Sequence, residues 1–128
     1  MSSFSAGIDL PPVPRSVTTA RHVAVDLLRV WRAPHDRDDA ALLITELVSN
    51  VVDHVGGEAS FTLELALADG WLRVAVVDGS SVLPVVRELS TARPRGRGLR
   101  LVQAIAERWG CEERDGGKRV WFDLAPPV

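Results

Sequence analysis

Three observations predict an α+β fold with helices layered on one face of a mostly antiparallel sheet. Two segments, Ser16 to Trp31 and Arg37 to Val55, carry apolar residues at steps of three and four. Residues 61–78 change to a period of two and fold back at Asp69-Gly70, and residues 111–124 form a second hairpin around Gly116-Gly117. Strands that come as antiparallel pairs, separate from the helices, argue against a doubly wound parallel sheet.

Taken in order, residues 1–13 place Phe4, Ile8 and Leu10 at even spacing before the Pro11-Pro12-Val13-Pro14 block, which suits a short edge strand or a flexible arm. The first helix has Val17, Ala20, Val23 or Ala24, Leu27 and Trp31 as its apolar stripe, Ser16 as its N-cap and Ala33-Pro34 as its close. In the second, Asp38 and Asp39 suit the positive N-terminal end, and Gly56-Gly57 stops the helix. Phe61, Leu63, Leu65 and Leu67 then alternate with Thr62, Glu64, Ala66 and Ala68, and Trp71 to Asp78 returns as a more uniformly apolar strand. Residues 79–95 contain Pro84 and Pro94 and no clean period, so they read as a long loop suited to a functional lid. A helix is expected from Gly98, with Leu99, Val102, Ile105, Ala106 and Trp109 buried and Gly110 as its stop. The closing strand, Lys118 to Leu124, aligns Val120, Phe122 and Leu124 on one face.

The 128 residues fit one domain, 1–128, with 46% hydrophobic and 25% charged residues, the balance of an ordinary globular protein. A net charge of -2 supplies no basic field for a nucleic-acid backbone. Cys111 is the only cysteine, so no intrachain disulfide forms, and no apolar stretch approaches the ~20 residues of a membrane helix. These features point to a cytoplasmic location, with neither nucleic acid nor membrane as a partner.

Chemistry concentrates in three places. On the second helix Ile44, Leu47, Val48, Val51 and Val55 form an apolar stripe, and Glu46, Asn50, Asp53 and His54 fall opposite; such a face is either solvated or functional. At Val76-Val77-Asp78-Gly79 a carboxylate and a glycine end an apolar strand, which is either a plain turn or the floor of a flat pocket where the carboxylate accepts from an amine. Arg95-Gly96-Arg97-Gly98-Leu99 opens a helix, where free N–H groups, the helix dipole and two arginines outline a phosphate cradle. Neither a dinucleotide fingerprint nor a Walker pattern is present.

Together these elements resemble the GHKL superfamily of ATP-binding domains, with its Bergerat-type two-layer α/β sandwich. The likeness is strongest to the small actinobacterial anti-sigma-factor serine kinases. Glu46 to His54 resembles the N box, Asp78-Gly79 the first glycine box and Gly96-Arg97-Gly98-Leu99 the second. Trp109-Gly110 and the final Gly117-Lys118-Arg119-Val120-Trp121-Phe122 follow in the expected order. The resemblance implies that Asn50 helps hold Mg²⁺ against the phosphates of ATP, a neutral amide oxygen suiting a hard, well-hydrated cation. It implies that Glu46 is the general base, that Asp78 reads the adenine amino group and that Gly79 gives the ring room. Gly96 and Gly98 would bind phosphate through the backbone, with Leu99 closing that box and Arg95 or Arg97 neutralising charge on the transferred group. His54 is either near the phosphates or a structural hydrogen-bonding group. The chain departs from the family in Val51, in Asp53, in Asp78-Gly79-Ser80-Ser81 without a second glycine, and in Lys118-Arg119-Val120 without the usual threonine.

The function implied is a cytoplasmic, ATP- and Mg²⁺-dependent protein serine kinase that binds a sigma factor and phosphorylates a small antagonist (anti-anti-sigma) protein, with a homodimer implied by the resemblance alone. The alternative is a non-catalytic nucleotide-sensing module in which ATP orders the segment Ser80 to Arg95. An α+β domain that binds no nucleotide is the third reading.

Overall fold

The computed structural model describes residues 3–54, 59–78, 96–114 and 117–128. Strands β1 (Ser3–Leu10), β2 (Phe61–Ala68), β3 (Trp71–Asp78), β4 (Arg108–Arg114) and β5 (Gly117–Leu124) form one sheet in the order β1-β2-β3-β5-β4, and each neighbouring pair is antiparallel. Helices α1 (Arg15–Val30), α2 (Arg37–His54) and α3 (Gly96–Ile105) complete the α+β architecture, with α2 in contact with α1, α3 and β3.

The period-two pattern of β2 sends Phe61, Leu63, Leu65 and Leu67 to the helix side, where they meet Leu72, Val74 and Val76 of β3 and Val120, Phe122 and Leu124 of β5. From the helices Ala20, Ala24 and Leu28 of α1, Ala40, Leu43, Ile44, Leu47, Val48 and Val51 of α2, and Val102 of α3 close the core. Each large side chain buried here is worth roughly 1.5–3 kcal/mol of transfer free energy. The β2–β3 hairpin turns at Asp69-Gly70 with both residues at positive φ (53° and 80°), the primed turn that the right-handed twist of the strands favours.

The start of the first helix differs from the sequence expectation, and its end agrees with it. Ser16 is not the N-cap: it lies inside α1, buried, and its hydroxyl donates to the Pro11 carbonyl at 2.6 Å, while Pro14 holds the cap position. The Pro-rich run already sets the chain direction, so the serine ties helix to loop rather than satisfying the helix end. The buried stripe is Ser16, Ala20, Ala24 and Leu28, so Ala24 takes the place open to Val23, and Leu27 is only partly buried. The helix closes before Ala33-Pro34 in a Schellman turn, where Ala33 N–H donates to Leu28 O (2.9 Å) and Arg32 N–H to Arg29 O (3.1 Å). Arg32 takes the left-handed position at φ 55°. At the start of α2, Asp36 Oδ1 accepts from Asp39 N–H at 2.9 Å, a side-chain cap.

The expected helix from Gly98 to Trp109 is corrected at both ends. It begins at Gly96 and stops at Ile105, because Glu107 N–H turns out to bond Asp123 O (3.0 Å) and commits the following residues to the β4 ladder. Trp109 therefore reaches the core from a strand, opposite Phe122, and Gly110 is not a helix stop. A Cβ at Gly110 would sit 2.9 Å from the Trp121 ring, so the glycine is required by that indole lying flat across β4. The stops expected at Gly56-Gly57 and the turn residue Gly116 lie outside the described residues.

The sheet face turned away from the core has its own polar layer. Asp123 is held by Arg73 (Nε–Oδ1 2.6 Å, Nη2–Oδ2 2.8 Å) and by Arg108 (Nε–Oδ2 3.2 Å). Arg73 stacks on Trp121 at 4.3 Å and Arg108 on Trp71 at 4.2 Å. Beside this layer Ser5, Gly7, Ala66 and Ala75 floor a groove of about 440 Å³ bordered by Glu64, Arg73 and Arg119.

Candidate functional site

The polar face expected on α2 forms a half-buried margin of that helix. Leu43, Ile44, Leu47, Val48 and Val51 are fixed in the core, which leaves Glu46 and Asn50, one turn apart, on the adjoining face, neither fully buried nor exposed, with Asp53 exposed beyond them. Partial burial pushes the Glu46 carboxyl above its ordinary range, because the charged form loses water. Such a carboxylate is a stronger proton acceptor than one in bulk water, the property wanted of a general base. His54 is the last residue of α2. Val51 belongs to the core and leaves the Asn50 face to its neighbours.

Asp78 is placed by strand alternation: it has the parity of Leu72, Val74 and Val76 and so faces the helix layer at the end of β3. Its side chain is 1% exposed. The cross-strand register sets it opposite Lys118 of β5, whose ammonium nitrogen lies 3.9 Å from Asp78 Oδ2 and is itself almost fully enclosed. This distance is within ion-pair range and beyond hydrogen-bond length. Asp78 is thus no ordinary exposed turn residue but a buried carboxylate in an ion pair.

Gly96, Arg97, Gly98 and Leu99 make up the first turn of α3, where the backbone N–H groups lack intrahelical acceptors and the dipole favours an anion. Gly79 and Arg95 lie outside the described residues, as does the segment 79–95 expected to act as a lid. α2, which carries Glu46 and Asn50, contacts both α3, whose first turn holds Gly96 and Gly98, and β3, which ends at Asp78. These fit a nucleotide: a buried acceptor for a base amine, a helix N-terminus for phosphate, and an amide oxygen of the kind that holds Mg²⁺. The groove of the outer sheet face is lined by none of these residues.

Sequence reasoning missed Lys118 as the partner of Asp78. The signal was present, because Lys118 shares the parity of Val120, Phe122 and Leu124 and is therefore a lysine at a core-facing strand position.

Comparison with known proteins agrees with this geometry. A family model described as the histidine kinase-like ATPase domain matches residues 10–124. An uncharacterized protein of Streptomyces coelicolor, SCO4941, is 35% identical over 90 residues, covering 66% of this chain and 86% of the relative. The crystal structure of the RsbU and RsbW domains of Rv1364c from Mycobacterium tuberculosis matches 95% of this chain with a TM-score of 0.73 at 22% identity. That likeness is one of fold, and the chain spans 32% of the length of the larger protein. With the match running from the end of β1 to the end of β5, the chain belongs to the family of histidine kinase-like ATPase domains.

Proposed function

We propose that this protein is an ATP- and Mg²⁺-dependent serine kinase of the anti-sigma type, acting in the cytoplasm on a small antagonist protein and through a sigma factor on transcription. The observation that carries the reading is the pairing of Glu46 with Asn50 on one half-buried margin of α2, with the Glu46 carboxyl raised by burial. A domain that only bound nucleotide would have no use for a base there. The fold likeness to a chain that contains an RsbW domain supports the reading at the level of architecture.

In this mechanism Asp78 accepts a hydrogen bond from the base amine, and the first turn of α3, with Arg95 or Arg97, directs N–H groups and positive charge at the phosphates. Asn50 would offer its side-chain oxygen to Mg²⁺, which when bound would neutralise phosphate charge. Glu46 takes the proton from the acceptor serine hydroxyl as that oxygen bonds to the γ-phosphorus of ATP, the bond from that phosphorus to the β,γ-bridging oxygen breaks, and ADP leaves with the electron pair. Two copies of the chain acting together is part of the same proposal.

The test is transfer of label from radiolabelled ATP to candidate antagonist proteins. Transfer is expected with the native chain and is reduced at least ~100-fold in Glu46→Gln, whose ATP affinity remains measurable. Undiminished transfer in that variant would remove Glu46 from the mechanism, whereas tight ATP binding with no transfer to any genuine partner would favour the nucleotide-sensing alternative.

A further inference from the structure

The exposed side of α2 sets one apolar residue among acids, and this bears on what the kinase accepts, an inference that rests on the reading of Glu46 as the base. From Asp38 to Asp53 the exposed residues of the helix are Asp38, Asp39, Leu42 and Asp53, three acids and one leucine. At about 100° per residue all four fall within an arc of roughly 100°. The basic types Arg37 and His54 stand only at the two ends of the helix.

Leu42 is 39% exposed, whereas Leu43 and Ile44 beside it are fully buried. A single leucine on a surface is ordinary. Position sets this one apart. It lies one turn before Glu46, with the two Cβ atoms about 6 Å apart, and Asn50 lies one turn after, so the three form a row along the helix. Side chains on a helix lean toward its N-terminus, which brings the Glu46 side chain over the turn that holds Leu42.

In phosphoryl transfer the entering and leaving oxygens lie roughly in line on opposite sides of phosphorus. With Asn50 at the metal and phosphate end of the row, the entering serine comes to Glu46 from the Leu42 end. The chain around that serine therefore passes over Leu42, Asp38 and Asp39. An apolar side chain covers the leucine there and cations answer the two carboxylates, since an acidic segment would meet like charge. We propose that this end of α2 reads the acceptor, selecting a serine segment that carries an apolar residue next to the serine and a lysine or arginine beyond it.

The probes are short serine peptides with the orders lysine-leucine-serine and serine-leucine-lysine, each paired with versions that carry glutamine for leucine or glutamate for lysine. Transfer of label from radiolabelled ATP by the full chain with Mg²⁺ gives kcat/KM, and titration calorimetry gives the ATP dissociation constant. In at least one order the native chain is expected to favour leucine over glutamine, and lysine over glutamate, by at least about 10-fold each. Leu42→Gln should bring the leucine preference below about 3-fold, and Asp38→Lys with Asp39→Lys should invert the charge preference, both with ATP affinity within about twofold of native. Thermal melting checks the folding of each variant. If the charge-reversed chain does not fold, Leu42→Gln, a change at an exposed position, decides the matter. Native ratios near one, or ratios that these substitutions leave unchanged, overturn the inference. So does absence of label in every peptide, and label in a candidate antagonist protein would then leave the kinase reading standing without it. No transfer to peptide or protein removes the kinase reading as well.

Discussion

Two carboxylates on opposite faces of the sheet are almost equally hidden from water, yet they are held in different ways. Asp123, 3% exposed at its side chain, is clamped by Arg73 through two short hydrogen bonds and by Arg108 through a third contact. Asp78, 1% exposed, stands 3.9 Å from its lysine. The bidentate fork of an arginine engages both carboxylate oxygens, and the hydrogen bonds that Arg73 donates to Asp123 in turn raise the Arg73 guanidinium above its ordinary range. The Lys118 ammonium, 3.9 Å from Asp78 Oδ2, makes a charge pairing beyond hydrogen-bond length rather than a fork. The lesson is that burial of an acid does not by itself identify a site.

The sharpest way to break this comparison is to remove each acid in turn. Asp78→Ala is expected to weaken ATP at least ~100-fold, a loss of about 2.7 kcal/mol. Asp123→Ala should leave the ATP dissociation constant within a factor of about two while lowering unfolding free energy by about 2–3 kcal/mol in urea titration. That figure is set below the value for a fully buried pair because both arginines keep contact with water. Equal losses of affinity in the two variants would erase the distinction.

A smaller effect is expected from Gly110→Ala. The new methyl would lie 2.9 Å from the Trp121 ring, so the indole must shift and take Arg73 with it. A stability loss of about 1–2 kcal/mol with unchanged nucleotide affinity would confirm that the outer layer is structural.

The smallest effect sharpens the covered face. Because burial raises the folded-state pKa of Glu46, the stability linked to this group is fully present below its unfolded pKa and is lost as pH rises through its folded value. Glu46→Gln should therefore melt higher than the native chain at pH 7, with the gap closing as pH falls below about 4.3, the unperturbed glutamate value. A variant that melts lower at neutral pH would mean that the carboxylate is stabilised by a partner, not strained by desolvation.

Local pattern carried most of the fold. The alternation of Phe61 to Leu67, the Asp69-Gly70 turn and the α2 stripe were legible because one face of each element is buried and the period records it. The span from Arg108 to Gly110 was not, since Val102, Ile105 and Trp109 continue a helical spacing that the β5 ladder overrides. Ser16 was misread for a related reason, its hydroxyl being engaged by a carbonyl of the preceding loop. In the site, Glu46 and Asn50 were visible from spacing and likeness, whereas the tie between Asp78 and Lys118 depends on a register between strands separated by α3 and β4. No local pattern encodes that register.

The stacking of Arg73 on Trp121 and of Arg108 on Trp71 also determines what light can report about this molecule. Both indoles sit on the side of the sheet remote from the nucleotide elements, each beneath a guanidinium that leaves when the strands part. With Trp31 and Trp109 replaced by phenylalanine, intrinsic fluorescence from these rings should accordingly follow denaturation and stay nearly silent during titration with ligand, which makes one optical signal a gauge of folding.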